Sequence, residues 1–185
     1  MHAFLECEDG SARLAVERTL ARFGAGALSF AERRGIRICV LAKNERYASA
    51  SAALRRLTID VDAWPAPPAG LFVVEERRVY LRSVSPMTVA HEFGHALDCA
   101  LGGGVYHSGV DPRVRSLFSE ARRFVTPYAA TAIDEYFAEG LRAYVGANDT
   151  ASAWPRATKA RLRKVDARLF DYIVRLFRTT FTQAA

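Results

Sequence analysis

The sequence predicts an α+β fold, with a small N-terminal sheet and helices followed by a helical C-terminal half. Three observations support this prediction. Short apolar runs rich in β-branched residues occur within the first 84 residues, a capped helical segment follows them directly, and apolar residues then recur at helical spacing. With 185 residues, 50% of them hydrophobic, we expect a single domain over residues 1–185. Its upper part would span 1–84 and its lower part 85–185.

Helix and strand alternate in the predicted upper part. Ser11 can cap a helix that runs to about Phe23, where Gly24 and Gly26 can end it, since glycine adopts the left-handed conformation that closes helices. The further predicted elements are a strand at 36–41 (IRICVL), a helix at 47–57, a proline-rich break at 64–70 (WPAPPAG) and two strands at 71–74 and 79–82.

The lower part begins with a clearly framed helix. Ser85 is a side-chain cap, Pro86 occupies a first helical position where its missing N–H costs nothing, and Gly102–Gly104 is a strong stop. This frames a helix over about 86–101. The later predicted helices span about 114–124, 131–145 and a long tail opened by Trp154-Pro155, with apolar positions at Leu162, Val165, Leu169, Ile173, Leu176 and Phe177.

Charge and cysteine content exclude several classes of protein. The formal charge of +6 concentrates in the tail, where residues 156–178 hold eight Lys or Arg, and we interpret it as the solvated face of a packed helix rather than a nucleic-acid site. The three cysteines have no CxxC spacing, which argues against a disulfide framework and a cysteine zinc site. No apolar run is long enough to insert into a membrane, and the first residues do not resemble a Sec signal. Cytoplasmic location and export without a cleaved signal both stay open.

The framed helix contains the sequence HEFGH, an HExxH motif. Residues four apart lie on one helix face, so His91 and His95 can bind one ion. Glu92 lies beside that pair, where its carboxylate can take a proton from a metal-bound water. This spacing predicts hydrolysis by metal-activated water. The alternative is that the two histidines are ordinary side chains on one helix face and bind no metal.

A third ligand is needed, and two known spacings fail. The metzincin pattern requires Gly at position 98 and His at 101, where this chain has Asp98 and Leu101. A glutamate 19 residues after the second histidine would fall near Val114. The third ligand is therefore expected further along the chain.

The segment 126–139 supplies two acidic candidates. Thr131 can cap a helix in which Glu135 lies in the second turn and Glu139 one turn further on the same face. One acid can bind the metal while the other hydrogen-bonds the free nitrogen of a ligand histidine. The order of these two roles stays open at this point, with Glu139 as the alternative ligand.

With these residues the chain resembles a known family, the catalytic domains of anthrax lethal factor and the clostridial Pro-Pro endopeptidases. The resemblance rests on HEFGHALD at 91–98 and on Tyr128 followed seven residues later by Glu135 in EYFAE. It implies a zincin-like metallopeptidase domain with one Zn²⁺ per chain. The implied roles are metal ligation by His91, His95 and Glu135, general-base catalysis by Glu92 and oxyanion stabilisation by Tyr128.

Further residues are candidates for supporting roles. Asp98 lies seven residues after His91 on the same helix face and can brace the site, or it is a solvated acid. His107 follows a glycine-rich loop and can reach a substrate, or it is a surface histidine. Many zinc peptidases bind substrate as an added strand along a sheet edge. We therefore expect an edge strand for substrate at Val79, Tyr80, Leu81 and Arg82.

Three functions from different classes remain. The leading prediction is a zinc endopeptidase acting on a peptide or protein. The first alternative is a zinc-binding regulatory module whose basic helix holds an acidic partner or nucleic acid, and the second is a zinc hydrolase acting on a different amide. The sequence does not fix the cleavage preference, the biological target or the oligomeric state.

Overall fold

The computed structural model describes residues 4–152 and 155–182, and these form a mixed α+β fold with one small sheet. The sheet has four strands in the order β1-β2-β4-β3, in which β4 pairs in parallel with β2 and antiparallel with β3, and β1 is parallel to β2. Its strands are β1 (Leu5–Glu6), β2 (Arg37–Val40), β3 (Gly70–Val73) and β4 (Arg78–Leu81). The prediction of a small sheet in a mostly helical α+β fold is confirmed.

The predicted substrate edge strand is wrong. The strand of residues 78–81 is hydrogen-bonded on both sides, so Val79, Tyr80 and Leu81 have no free backbone edge, and Arg82 follows the strand and donates its N–H to Ala69. The free edge next to β4 belongs to β3. Strand order depends on β2, a segment about 40 residues earlier in the chain, and a local pattern does not reveal it.

The N-terminal helices differ in detail from the prediction. The cap of α1 (Gly10–Leu20) is Asp9, whose carboxylate accepts the N–H of Ala12 at 2.8 Å, and not Ser11. Gly24 has φ 80° and changes the direction of the chain, and a second helix, α2 (Gly24–Arg33), begins there. The sequence does not predict this helix, because Gly24 and Gly26 favour a helix end. The predicted helix at 47–57 is interrupted at Ser51, which is extended. It therefore forms two short helices, α3 (Tyr47–Ala50) and α4 (Ala52–Arg56).

The framed helix α5 (Pro86–Leu101) has the predicted bounds. Ser85 Oγ accepts the N–H of Thr88 at 3.2 Å, and Pro86 occupies the first turn. Nearly every residue from Val89 to Ala100 is buried, because α5 packs against the sheet through β3 and β4. It is the central helix of the hydrophobic core.

The remaining helices wrap around α5. They are α6 (His107–Val110), α7 (Pro112–Glu120), α8 (Ile133–Val145), α9 (Lys159–Val165) and α10 (Ala167–Thr179). Thr131 does not cap α8, since its hydroxyl donates to the carbonyl of Tyr128. The predicted tail helix is divided at Asp166, whose carboxylate caps α10 through the N–H of Leu169 at 2.9 Å. Of its expected start, Trp154 lies outside the described residues and Pro155 is not helical, because α9 begins at Lys159 with Thr158 as its cap.

The apolar stripe of the tail is largely buried in the core, with Leu162, Leu169 and Ile173 fully covered. Seven of the eight basic residues of that segment are exposed, as the sequence indicated, whereas Arg161 is half-buried and its Nε donates to the carbonyl of Val125 at 2.7 Å. Among the helices of the described residues, none is long and apolar enough to cross a membrane.

Candidate metal centre

A close crossing of α5 and α8 builds the candidate site. A Cβ atom on Gly94 would lie only 3.1 Å from Cα and from the carbonyl oxygen of Ala138, so the two backbones nearly touch there. Gly94 precedes His95 on α5, and Ala138 lies between Glu135 and Glu139 on α8. The small residues at the crossing therefore bring acids of one helix onto the histidines of the other.

Three ligand atoms meet at this crossing. Nε2 of His91 lies 3.1 Å from Oε2 of Glu135, Nε2 of His95 lies 3.3 Å from the same oxygen, and the two Nε2 atoms are 3.1 Å apart. A tetrahedral zinc ion with ligands at about 2.0–2.1 Å separates its ligand atoms by about 3.3 Å. The three side chains thus form a group that can hold a metal ion.

The electrostatics of this group favour a cation. Oε2 of Glu135 is buried, and within the described residues it accepts no hydrogen bond of normal geometry. Burial lowers the pKa of His91, but the carboxylates of Glu135 and Glu139 outweigh it and raise that pKa to about 10. Burial raises the pKa of Glu135, yet the two imidazoles bring it well below its usual range. Two imidazoles and a carboxylate are also the donor set that zinc uses in catalytic sites.

Glu139 contacts the other side of an imidazole and is not in the ligand group. Its Oε1 lies 3.0 Å from Nδ1 of His91, the nitrogen that faces away from Glu135. Burial raises the pKa of Glu139, while hydrogen bonds from His91 and Arg142 lower it to about 2. An ionised carboxylate at this position selects the tautomer of His91 that carries its proton on Nδ1. Between the two acids that the sequence left open, the geometry favours Glu135 as ligand.

Asp98 lies apart from the ligand atoms. Its carboxylate accepts the N–H of Ser108 at 2.7 Å and the hydroxyl of Ser108 at 2.5 Å, so it fixes the start of α6. Burial raises the pKa of Asp98 to about 6. Nδ1 of His95 is buried and has no hydrogen-bond partner among residues 4–152 and 155–182.

Glu92 lies between the ligand histidines and the free edge of the sheet. Its side chain is 8% exposed, and it packs directly against β3, where a Cβ atom on Gly70 would lie 2.6 Å from Cγ of Glu92. Burial raises the pKa of Glu92, and the imidazoles of His91 and His95 and the backbone N–H of Phe72 only partly oppose this. A buried carboxyl group with a raised pKa is a suitable proton acceptor and donor.

Tyr128 is the exposed member of the cluster. It is 43% exposed and begins a short 3-10 turn (Tyr128–Ala130) that precedes α8. Its hydroxyl donates to Oε1 of Glu135 at 2.9 Å, and its ring centroid lies 5.4 Å from that of His91. Burial and the neighbouring carboxylates raise the pKa of Tyr128, so the phenol keeps its proton and can donate it in a hydrogen bond.

A cavity of about 280 Å³ opens beside His91 and Glu92. One wall is the chain entering β3 and the other is the first turn of α5. The lining residues are Pro68, Ala69, Gly70, Met87, Thr88, His91, Glu92, Thr126, Tyr128, Glu139 and Arg142. His107 is not among them, because its Nε2 pairs with the hydroxyl of Tyr172 on α10 at 2.6 Å.

Sequence reasoning missed Gly70, Met87, Thr126 and Arg142 as residues of this cavity. In the sequence Gly70 is only the last residue of the proline-rich break at 64–70. Arg142 follows Glu139 by three residues on α8, a spacing that puts an acid and a base on one helix face and was an available signal.

Comparison with known proteins identifies a similar fold. No family model matches the chain, and neither does any curated protein. Among solved structures, the Pro-Pro endopeptidase from Paenibacillus alvei superimposes with a TM-score of 0.65 at 18% sequence identity, covering 94% of this chain and 97% of that one. Identity this low establishes the fold alone. The Pro-Pro endopeptidase part of the resemblance is confirmed at that level, and the lethal-factor part stays a prediction.

Proposed function

We propose that this protein is a zinc-dependent endopeptidase. The observation that carries the proposal is the group of His91, His95 and Glu135 ligand atoms, 3.1–3.3 Å apart, beside a buried glutamate and a free sheet edge. The endopeptidase fold of the neighbour supports the same reaction class. Nδ1 of His91 is held by Glu139, which leaves Nε2 free to bind the ion.

The chemistry divides between the ion and the side chains around it. When bound, zinc supplies Lewis acidity, which makes a bound water a nucleophile near neutral pH and polarises the substrate carbonyl. Glu92 takes a proton from the attacking water and delivers it to the leaving amine, a double role that its raised pKa favours. Tyr128 releases Glu135 and donates its phenolic hydrogen bond to the substrate oxygen that becomes negative.

The substrate backbone is proposed to add to β3. The carbonyl of Ala69 accepts the N–H of Arg82 at 3.0 Å, so by the alternation of an antiparallel ladder Leu71 also bonds inward to β4. The backbone groups of Gly70 and Phe72 consequently point to the open side, where the N–H of Phe72 also contacts the carboxyl group of Glu92. An extended peptide hydrogen-bonded there would cross directly above Glu92.

The cavity beside His91 is proposed to receive a substrate side chain next to the scissile bond. Pro68, Ala69 and Met87 give it an apolar wall, and about 280 Å³ accommodates an apolar side chain of moderate size. The name of the structural neighbour suggests proline as one candidate. A diverse library tests proline without assuming it.

The test is a peptide-library digest read by mass spectrometry, with zinc content measured for each variant. Wild type should cut, and Glu92→Gln should bind zinc but not cut, because glutamine cannot accept the proton. Glu75→Gln is the matched control, since Glu75 is exposed on the turn before β4 and should leave cutting unchanged. Cutting by Glu92→Gln at the wild-type rate would refute the role of Glu92. A folded, zinc-loaded wild type that leaves all peptides intact would favour the non-catalytic module.

A further inference from the structure

A buried guanidinium group lies behind the candidate metal centre. Arg142 is only 2% exposed, although it is charged and lies one turn after Glu139 on α8. Its Nε and Nη2 donate to Oε1 and Oε2 of Glu139, both at 2.7 Å, which is the two-pronged arrangement that arginine forms with carboxylates. The contact is directional as well as charged.

The far side of the same guanidinium is anchored to the backbone. Nη1 of Arg142 donates to the carbonyl of Ala147 at 3.0 Å and approaches Oδ1 of Asn148 at 3.4 Å. Asn148 is itself fixed, because its side chain accepts the N–H of Ala157 at 2.8 Å and donates to the carbonyl of Ala157 at 2.7 Å. Arg142 therefore has a rigid support on the side opposite to Glu139.

Both carboxylate oxygens of Glu139 are engaged in contacts with its neighbours. Besides both prongs of Arg142 it accepts the hydroxyl of Thr126 at 2.5 Å, and its Oε1 contacts Nδ1 of His91 at 3.0 Å. Its two oxygens thus have no freedom to rotate away. A continuous chain of contacts runs from Asn148 through Arg142 and Glu139 to the imidazole of His91.

A buried ion pair of this kind is poorly explained by stability. Removing both charges from water carries a large penalty, and apolar residues of similar volume often stabilise a core as well or better. What the pair provides is orientation, and the side chain of the candidate metal centre that it orients is His91. Ligand histidines whose second nitrogen is held this way bind metal more tightly.

We propose that Arg142 is a positioning residue that holds the Glu139 carboxylate against Nδ1 of His91 and so directs Nε2 of His91 at the metal. This inference rests on the proposed metal site. Arg142 acts through Glu139 and contacts neither the metal nor the reacting atoms. It follows that a change at Arg142 should appear in metal affinity even when no substrate is present.

Zinc dissociation constants measured by competition with a chromogenic chelator test this inference without any peptide. Arg142→Met should weaken zinc binding by about 10–100-fold, the usual effect of losing an outer contact to a ligand histidine. Arg142→Lys, which keeps the charge but not the two-pronged contact, should recover part of the loss. Arg37→Met is the matched control, a half-buried arginine on β2 whose side chain donates to the Ile36 carbonyl, and it should bind zinc like wild type.

A double-mutant cycle separates positioning from general stabilisation. If Arg142 acts through Glu139, adding Arg142→Met to Glu139→Gln should weaken zinc binding little further, because the contact to be positioned is already altered. Additive losses, or an Arg142→Met protein that melts lower yet binds zinc like wild type, would overturn the inference. If Arg142→Met does not fold, the same cycle is measured with Arg142→Lys, and additive losses of zinc binding would again overturn the inference. A wild type that binds no zinc would instead refute the proposed function itself.

Discussion

Replacing Gly70 with alanine should disable the proposed base without touching a metal ligand. A Cβ atom at position 70 would lie 2.6 Å from Cγ of Glu92 and 2.8 Å from the methyl carbon of Thr88. Cβ contacts shorter than 3.0 Å essentially do not occur, and ordinary contact begins at 3.4 Å. Glu92 and β3 must therefore separate by at least 0.4 Å, and by 0.8 Å to reach ordinary contact. Gly70 does not have a positive φ, so the added methyl group acts by its size and not by backbone strain.

The size of the effect follows from that displacement. A misplacement of about 1 Å in a catalytic group commonly costs about 10²-fold in rate, and we expect kcat to fall by that factor. Overpacking of this kind also costs about 1–3 kcal/mol of folding free energy, which should lower the melting temperature. Zinc affinity should stay at the wild-type value, because neither Gly70 nor Glu92 is in the ligand group.

The assay is steady-state cleavage of the best peptide from the library, together with zinc competition and thermal melting. Gly10→Ala is the matched control, since a Cβ at position 10 meets nothing within 4 Å and should leave kcat unchanged. A Gly70→Ala enzyme with wild-type kcat would refute the argument that β3 fixes the base. Equal losses of zinc binding and activity would mean that the methyl group disturbs the whole site.

Three further outcomes are expected. Tyr128→Phe should lower kcat by about 10²-fold with little change in zinc affinity, as measured by the same cleavage and competition assays; an unchanged kcat would remove Tyr128 from the oxyanion role. Zinc at about 1,000 times its dissociation constant should add about 4 kcal/mol to the free energy of unfolding, seen as a drop in melting temperature on chelation. In the metal-free protein the pKa of His91 is raised from 6.5 to about 10, so its stabilising contribution is complete below pH 6.5 and is lost as the pH rises towards 10. The melting temperature should therefore fall across that pH range more in the metal-free protein than in the zinc-loaded one. An equal fall in both would contradict the raised pKa of His91 as its cause.

The elements that sequence predicts well are those whose signals are local. The bounds of α5 follow from Ser85, Pro86 and the glycines after Leu101, all adjacent to the ends they define. The sequence does not predict α2, because Gly26 has the character of a helix stop. In the structure a Cβ at that position would lie 1.9 Å from the carbonyl oxygen of Phe181, so this glycine admits a distant segment of backbone. Such a requirement leaves no local trace.

The candidate site likewise has a part that local spacing predicts and a part that depends on long-range contact. The two histidines and Glu92 lie within one helix, and helical spacing alone indicates that they share a face. The meeting of Glu135 with them depends on the contact of Gly94 with Ala138, about 44 residues apart along the chain. The predicted edge strand is the wrong segment because β2 pairs with β4, and the sequence pattern of neither strand indicates that pairing. Local sequence patterns do not determine long-range pairings of this kind.

The charges around the candidate centre give a separate reason to expect a divalent ion. Glu92, Glu135 and Glu139 carry three negative charges when ionised, and Arg142 returns one positive charge, so two negative charges remain to be balanced. In the metal-free chain a proton on His91 supplies only one, which agrees with the raised pKa of that imidazole and leaves Glu92 favouring its neutral form. A divalent cation supplies both charges and displaces the proton, leaving the imidazole in the neutral form that ligates metal. The same balance gives charge and orientation opposite effects in Arg142→Met. Losing the positive charge strengthens the attraction of the site for a cation, whereas losing the two-pronged contact weakens His91 as a ligand. Arg142→Lys keeps the charge and therefore isolates the effect of orientation.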